Sequence, residues 1–196
     1  MLYDRDIREP LFEFLEGEFG KIRILEEKKA GKSRADVVMV TEDALYGIEI
    51  KSDADTYARL SSQVKDYNRY YDFNCVACGT RHAGHIREHV PEWWGIITVD
   101  ETENGPDFYW LRRPAKNPKM KLKHKITLLW RGELARIQER NGMYKYREKS
   151  KKFVQEKILE KLDEEVIQRE ISAEMFERDY TLIESEISEY RAKHRG

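Results

Sequence analysis

The sequence has 196 residues, of which 40% are hydrophobic and 37% charged, and its formal net charge is −1. This apolar content excludes a disordered chain, and the length predicts one core domain with a small appendage. No window approaches the ~18 consecutive apolar residues of a membrane span, and the charged N-terminal stretch lacks the apolar segment of a signal peptide, so we expect a cytoplasmic protein with no membrane partner.

The charge is distributed unevenly along the chain. Residues 1–111 contain 14 basic and 22 acidic side chains, residues 112–152 contain 15 and 3, and residues 153–196 contain 7 and 12. Clustered Lys and Arg side chains release counterions from a phosphate backbone when they bind it. The middle segment therefore predicts a nucleic-acid partner. A solvated basic linker is the alternative.

Hydrophobic spacing predicts an α/β arrangement for the first hundred residues. Ile7, Leu11 and Phe14 fall at helical spacing and predict a helix over 4–16. The elements that follow are a strand at 22–25, an antiparallel hairpin of strands at 35–40 and 45–51, a helix at 57–71, a strand at 74–78, a helix at 82–90 and a strand at 94–99. This order predicts a mixed central sheet flanked by helices.

The pattern changes after residue 111. We divide the chain into a core at 1–111, a basic linker or mobile arm at 112–125 that is interrupted by Pro114 and Pro118, and a helical C-terminal module at 126–196. The module is predicted as a helix at 126–140 followed by helices from about 150 to 190. In outline it is similar to the helix-extended loop-helix modules of SAP type, which bind DNA. A helical lid that completes the core is the alternative. The candidate phosphate contacts of the basic stretch are Lys121, Lys123, Lys125, Lys151 and Lys152.

Three residues of the predicted hairpin have the chemistry of a metal site. Strand alternation places Glu49 and Lys51 on one face and Ile50 in the apolar layer, and the hairpin brings Asp36 beside them. Two carboxylates suit a hard cation such as Mg²⁺, which can activate water and stabilise charge on a phosphate. A solvent-facing Glu49–Lys51 ion pair is the alternative, although charges in an otherwise apolar strand are costly unless they are paired or bind metal.

The same residues resemble a known superfamily. Ala35-Asp36 followed by Glu49-Ile50-Lys51, with a helix on either side, is similar to the motif of the PD-(D/E)XK nucleases, in which a proline usually stands at the position of Ala35. Gln63 and Tyr67 resemble the Q-x-x-x-Y element of branches related to the RecB and Cas4 exonucleases. The likeness is closest to a compact bacterial and phage subgroup of predicted nucleases, through the segments Gly31-Lys32-Ser33-Arg34-Ala35-Asp36, Glu49-Ile50-Lys51-Ser52-Asp53-Ala54-Asp55-Thr56, Arg59-Leu60, Pro91-Glu92-Trp93-Trp94-Gly95 and, more faintly, Leu129-Trp130-Arg131 and Glu177-Arg178-Asp179-Tyr180.

The resemblance implies a restriction-endonuclease-like fold and a metal-dependent nuclease that acts on DNA. Asp36, Glu49 and the Ile50 carbonyl would hold Mg²⁺ or Mn²⁺, and Lys51 would position the attacking water. Gln63 and Tyr67 would face the site from the helix and would contact substrate or order Lys51. The alternative function is a non-catalytic nucleic-acid-binding accessory protein of DNA repair, replication or phage biology. Many enzymes of this fold class cut two strands as dimers, so a homodimer is a further expectation.

Further residues follow from the same resemblance. Arg34 and Tyr67 are candidate substrate contacts, although Tyr67 also fits the apolar stripe of its helix and can be a core residue. Members of the superfamily often add a glutamate from the first helix. Glu9 is our choice, with Glu13, Glu16, Glu26 and Glu27 as rivals.

A second group of residues could hold zinc. It consists of two cysteines and three histidines in one short stretch: Cys75, Cys78, His82, His85 and His89. The cysteines are three apart in a predicted strand and should therefore point to opposite faces of the sheet. We accordingly expect buried structural cysteines, with the histidines on one face of a helix.

Overall fold

The fold is known from a computed structural model, which describes residues 2–178. A six-stranded sheet forms its centre, with the strands in chain order from one edge to the other: β1 (Arg23–Ala30), β2 (Ser33–Val40), β3 (Leu45–Lys51), β4 (Phe73–Gly79), β5 (Gly95–Thr102) and β6 (Gly105–Arg112). Strands β3, β4 and β5 run parallel to one another, and the other neighbouring pairs are antiparallel. The predicted α/β class with a mixed sheet is confirmed.

Helices cover both faces of this sheet. They are α1 (Asp4–Phe19), α2 (Leu60–Tyr70), α3 (Thr80–Ala83), α4 (Leu122–Lys125), α5 (Arg131–Arg140), α6 (Lys151–Lys161) and α7 (Glu164–Phe176). Within the described residues, none of the helices is both long and apolar enough to cross a membrane.

The sheet has a hydrophobic layer on each face, and different helices pack against each layer. On one face, Ile7, Leu11 and Leu15 of α1 pack against Val37, Ile48 and other inward residues of the strands. On the opposite face, Leu60 and Tyr67 of α2 share a second layer with apolar residues of α5, α6 and α7. The helices that follow the sheet therefore complete the core of this second face.

One glycine is required by this packing. A Cβ atom at Gly47 of β3 would lie 2.2 Å from the ring of Tyr71, which is fully buried just after α2. Real Cβ atoms do not approach a ring so closely, so the absence of a side chain at residue 47 allows Tyr71 to lie on the sheet.

Several predicted elements differ from those observed. Helix α1 continues to Phe19, and β1 is longer than the predicted strand at 22–25. The predicted helix at 82–90 is wrong: α3 ends at Ala83, and only a three-residue 3₁₀ turn, Ile86–Glu88, follows it. Strand β6 was not predicted. Its apolar residues occupy both faces, so the period-two pattern of a half-buried strand is hidden.

The basic segment 112–125 is anchored to the core and is not a mobile arm. Asn117 is buried, its amide nitrogen donates to the carbonyls of Asn68 and Tyr71, and the backbone N–H of Lys121 donates to the Arg69 carbonyl. The backbone of this segment is thus hydrogen-bonded to α2 and the residues after it.

Lys125, predicted as a substrate contact, is buried in the structure. It is 0% exposed, and its Nζ lies 2.5 Å from Oδ2 of the buried Asp72 and 2.5 Å from Oε1 of Gln168. Burial is the main cause that lowers the pKa of this lysine, while Asp72 acts in the opposite direction. Its role is to join α4, α7 and the end of the α2–β4 connection.

The C-terminal module has more breaks than the sequence predicts. The segment predicted as one helix at 126–140 begins as a 3₁₀ turn, Ile126–Leu128, and resumes as a helix only at Arg131. Arg178, the last described residue, is buried and binds both carboxylate oxygens of Glu133 at 2.7 Å. The part of the predicted helical tail from residue 179 onward, including Asp179 and Tyr180 of the resemblance, lies outside the described residues.

Candidate active site

The site is located where β2 and β3 separate. Their paired residues run from Val40 opposite Leu45 to Val37 opposite Ile48, and the pairing stops there. Beyond this point, the backbone N–H of Ile50 in β3 donates to Oδ2 of Asp36 at 2.8 Å. A side-chain carboxylate thus takes the place of a neighbouring strand, and the separation opens a cleft beside it.

The backbone is irregular at the same point. Ala35 and Val38 belong to the same hydrophobic layer although they are three residues apart, so the alternation of β2 is interrupted around Asp36. The residue of β1 at this level, Glu27, has a φ of 54°. A left-handed conformation at a non-glycine residue is costly and is found preferentially at functional sites.

Glu49 is the centre of a buried hydrogen-bond network. It is 2% exposed, and its Oε1 accepts from Nζ of Lys51 at 2.8 Å and from Nε2 of Gln63 at 2.5 Å. The hydroxyl of Tyr67 donates to its other oxygen, Oε2, at 2.6 Å. A carboxylate offers about four lone-pair sites, so these three donors leave one for a further ligand.

Lys51 lies beside the two carboxylates with its charge compensated. It is 3% exposed, and its Nζ contacts Oε1 of Gln63 at 3.4 Å in addition to Glu49. An ammonium group has three N–H donors. The two contacts within the described part of the chain leave one donor that can be directed into the cleft.

Asp36 has a strongly shifted pKa. Burial raises it most, the negative charge of Glu49 raises it further, and together they bring the pKa of Asp36 from 3.8 to about 7. The hydrogen bond from Ile50 and the charge of Arg8 act in the opposite direction. Two carboxylates that repel each other in a partly buried cleft are stabilised by a cation.

Arg8 of α1 is a site residue that the sequence did not indicate. Its guanidinium donates to the Asp36 carbonyl at 3.2 Å and forms ion pairs with Asp4, Glu26 and Glu27 at 2.9 to 3.3 Å. Asp4 and Arg8 are spaced as an i,i+4 pair on the predicted helix, which was the available signal. The arginine fixes α1 against β1 and β2 beside the site.

These side chains surround a cleft of about 440 Å³. Besides the residues described above, it is lined by polar residues of the β1–β2 turn and of the approach to α2, which are Lys32, Ser33, Arg34, Asp55, Arg59 and Ser62. Helix α2 begins only at Leu60, and Asp55 accepts from both the backbone N–H and the hydroxyl of Ser52.

The structure brings some of the predicted site residues together and not others. Asp36, Glu49, Ile50, Lys51 and Gln63 line the cleft, as does the exposed Arg34, which is paired with Glu27. Tyr67 is 0% exposed, belongs to the hydrophobic core and donates its hydroxyl proton to Glu49, which is the core position that the sequence left open as its alternative.

The remaining predicted residues lie elsewhere. Glu9 is exposed on α1 and does not line the cleft, and its rivals Glu26 and Glu27 are bound to Arg8. Lys121, Lys123 and Lys152 are exposed outside the cleft, and Lys151 is half-buried in another one.

The residues present fit a hard divalent cation. Asp36 and Glu49 supply carboxylate oxygens, and Mg²⁺ is commonly bound through one or two carboxylates together with water and substrate phosphate. Among residues 2–178, no group of three or more His, Cys, Asp or Glu side chains is placed to hold a metal. A cation at this site would thus depend on backbone, water or substrate for its other ligands.

The cysteines and histidines do not form one cluster. Cys75 and Cys78 belong to opposite hydrophobic layers, and burial raises the pKa of each thiol to about 12. His82 bonds to the Tyr57 hydroxyl at 2.8 Å and contacts the Ser52 carbonyl at 3.0 Å. The prediction that the cysteines face opposite sides of the sheet is confirmed, and the prediction that the three histidines share a helix face is wrong.

Comparison with known proteins assigns a family. Residues 4–193 match the family described as bacteriophage P4 protein cII. The chain belongs to this family. No curated protein matches the sequence. A solved structure of Pyrococcus furiosus SfsA in complex with Ca²⁺ is similar over 57% of this chain and 60% of that chain, with 12% identity and a TM-score of 0.33, a level too low to establish a common fold.

Proposed function

We propose that this member of the P4 cII family is a metal-dependent nuclease of the PD-(D/E)XK type that hydrolyses phosphodiester bonds in DNA. The observation that carries the proposal is the meeting of Asp36 with Glu49, Ile50 and Lys51 where β2 and β3 separate. The motif resemblance implies that these residues lie together. They line one cleft of about 440 Å³.

The proposed roles follow from the contacts. Asp36, Glu49 and the Ile50 carbonyl would hold Mg²⁺ or Mn²⁺, which when bound lowers the pKa of water and offsets charge on the scissile phosphate. Lys51 is placed to donate its remaining N–H to the attacking water or to a phosphate oxygen. Gln63 and Tyr67 fix the orientation of Glu49. Arg8 favours the ionised form of Asp36.

The experiment is cleavage of linear, circular and single-stranded DNA with Mg²⁺ or Mn²⁺. We expect Glu49→Gln and Lys51→Met to lower the rate by about 100-fold or more, the range attributed to positioned catalytic groups. Glu160→Gln is the matched control, because Glu160 forms a comparable pair with Lys157 that is exposed on α6. Circular dichroism of each variant separates loss of chemistry from loss of fold.

Two results would contradict the proposal. One is the absence of cleavage on every substrate, and the other is equal cleavage by wild type and both site variants. Titration with Mn²⁺, followed by calorimetry, gives a readout independent of turnover. Glu49→Gln should weaken this binding.

A specific observation also supports the alternative function. Lys51, Gln63 and Tyr67 already occupy most of the bonding capacity of Glu49, so the network is stable as it stands. A non-catalytic nucleic-acid-binding protein of phage biology, repair or replication would keep such a network for the fold alone. It would bind DNA and show no metal-dependent cleavage.

A further inference from the structure

A second cleft lies beside the candidate active site. Its volume is about 450 Å³, and its lining includes Lys28, Lys29, Tyr70, Thr127, Trp130 and Lys151. Gly31, in the turn between β1 and β2, also lines this second cleft, whereas the next three residues line the active-site cleft. The two clefts are therefore neighbours across one turn of the chain.

The charges of the second cleft suit a phosphate backbone. Lys29 projects from the exposed edge strand β1, and Lys151 stands on the facing wall at the start of α6, where its Nζ donates to the Thr127 carbonyl at 3.1 Å. The acidic residue of the lining, Glu27, is bound by Arg8 and Arg34. Positive side chains on both walls attract a polyanion.

A buried hydroxyl provides an independent indication of a ligand. Tyr71 lines the second cleft and is 0% exposed, yet within residues 2–178 its hydroxyl has no hydrogen-bond partner. Buried polar atoms are normally hydrogen-bonded, and an exception calls for an explanation. The hydroxyl is enclosed, so a phosphate or base oxygen in the cleft would accept from it once the ring turned toward the cleft.

The shape and the aromatic lining favour a single strand over a duplex. A space of about 450 Å³ has the size of a small-ligand pocket and encloses about one nucleotide of a strand. It cannot admit a double helix, whose major groove alone is about 12 Å wide. The ring of Tyr70 can stack on a base only where that base is unpaired, whereas the Arg178 guanidinium already lies over the ring of Trp130, 4.1 Å from its centroid.

We propose that the second cleft binds a single-stranded segment of nucleic acid, which then passes over the β1–β2 turn to the candidate active site. The use of that segment as substrate rests on the proposed nuclease function, whereas its binding does not. If the proposed nuclease function holds, its substrate class is single-stranded or partly unpaired DNA.

The test is binding of a fluorescein-labelled single-stranded 12-mer of DNA, and of the duplex of the same sequence, to the full-length chain in EDTA. We expect the single strand to bind more tightly than the duplex. Tyr70→Leu should weaken its binding about fivefold or more. Lys151→Met should weaken it and reduce the slope of log K against log salt by about 0.7, the value for one phosphate contact on a single strand.

Lys161→Met is the matched control, because Lys161 lies at the opposite end of α6, roughly 15 Å from Lys151, and outside the cleft. Its affinity should stay close to that of wild type. The proposal is overturned if the duplex binds as tightly as the single strand, or if both cleft variants bind like wild type. It is also overturned if the control weakens binding as much as Lys151→Met does.

The binding assay distinguishes this inference from the proposed function. Cleft-dependent binding of the single strand without any metal-dependent cleavage would support the inference and contradict the nuclease. Cleavage that is lost in Glu49→Gln, together with unchanged single-strand binding by both cleft variants, would do the reverse.

Discussion

Replacing Asp36 by asparagine is expected to stabilise the metal-free protein, and the gain should grow with pH. Burial and the charge of Glu49 raise the pKa of Asp36 to about 7 in the folded protein, from the ordinary value of 3.8. Between these values the folded protein holds the proton more tightly than the unfolded chain. The free energy of unfolding of wild type therefore falls as pH rises through this window.

The structure gives upper limits for the gain. The shift from 3.8 to about 7 corresponds to roughly 4 kcal/mol at pH 8, and to roughly 1.5 kcal/mol at pH 5, at about 1.4 kcal/mol per pKa unit. Asp36 is partly exposed, and solvent screening reduces both figures. Asparagine keeps a side-chain carbonyl that can accept from the Ile50 N–H, so the substitution removes charge and preserves the hydrogen bond.

The assay is urea unfolding at pH 5 and pH 8 in EDTA, followed by tryptophan fluorescence. Asp36→Asn should exceed wild type in stability at pH 8 by clearly more than at pH 5. Asp107→Asn, at an exposed position of β6, is the control and should show no such dependence on pH. An equal gain at both pH values, or a loss at pH 8, would refute the reasoning. Mn²⁺ should stabilise wild type and have little effect on Asp36→Asn.

Three further substitutions test contacts that stabilise the fold. Tyr67→Phe removes a hydrogen bond to the buried carboxylate of Glu49 and should lower the free energy of unfolding by about 1.5–3 kcal/mol in urea titrations. Lys125→Met leaves the buried Asp72 without its cation and should cost about 3–5 kcal/mol by the same measurement. Gly47→Ala introduces a Cβ into an occupied space and should lower the melting temperature, with a cost of about 1–3 kcal/mol.

Each of these substitutions has a control in the same chain. Tyr109→Phe and Lys123→Met change exposed residues and should leave stability nearly unchanged. Gly17→Ala adds a methyl group in open space within α1 and should stabilise by about 0.5–1 kcal/mol. A destabilisation by the controls equal to that of the test variants would contradict the packing assignments. If Lys125→Met reduced DNA binding without loss of stability, its structural role would be wrong.

Local patterns were sufficient for the central strands. The hairpin of β2 and β3 was predicted because its signals, which are apolar residues, a short turn and strand alternation, all lie within about twenty residues of the chain. Alternation also placed Glu49 and Lys51 on one face, with Ile50 in the opposite layer. Strand β6 was not predicted because Tyr109 and Leu111 are apolar but face solvent, which hides the alternation of a half-buried strand.

The features that were missed depend on partners distant in sequence. Lys125 belongs to a basic run that resembles an exposed surface, but its partner Asp72 is 53 residues away and buries it. Arg8 reaches the carbonyl of Asp36, 28 residues away, and no periodicity within α1 indicates this partner. Charge patterns therefore predicted which residues are polar and could not predict which of them are enclosed.

The packing of α1 has a consequence for the order in which the protein can be assembled. The ring of Phe14 stacks on Phe108, with centroids 5.5 Å apart, and Trp110 donates to Glu18, so the first helix rests on the last strand of the sheet. A ribosome that adds about 5–20 residues per second makes these partners about 4 seconds or more after it has made α1. Until then the apolar face of α1 has no completed sheet to cover. The partners of Arg8 in β1 and β2 follow α1 directly in the chain, so the contacts of Phe14 and Glu18 with β6 can form only later than those of Arg8.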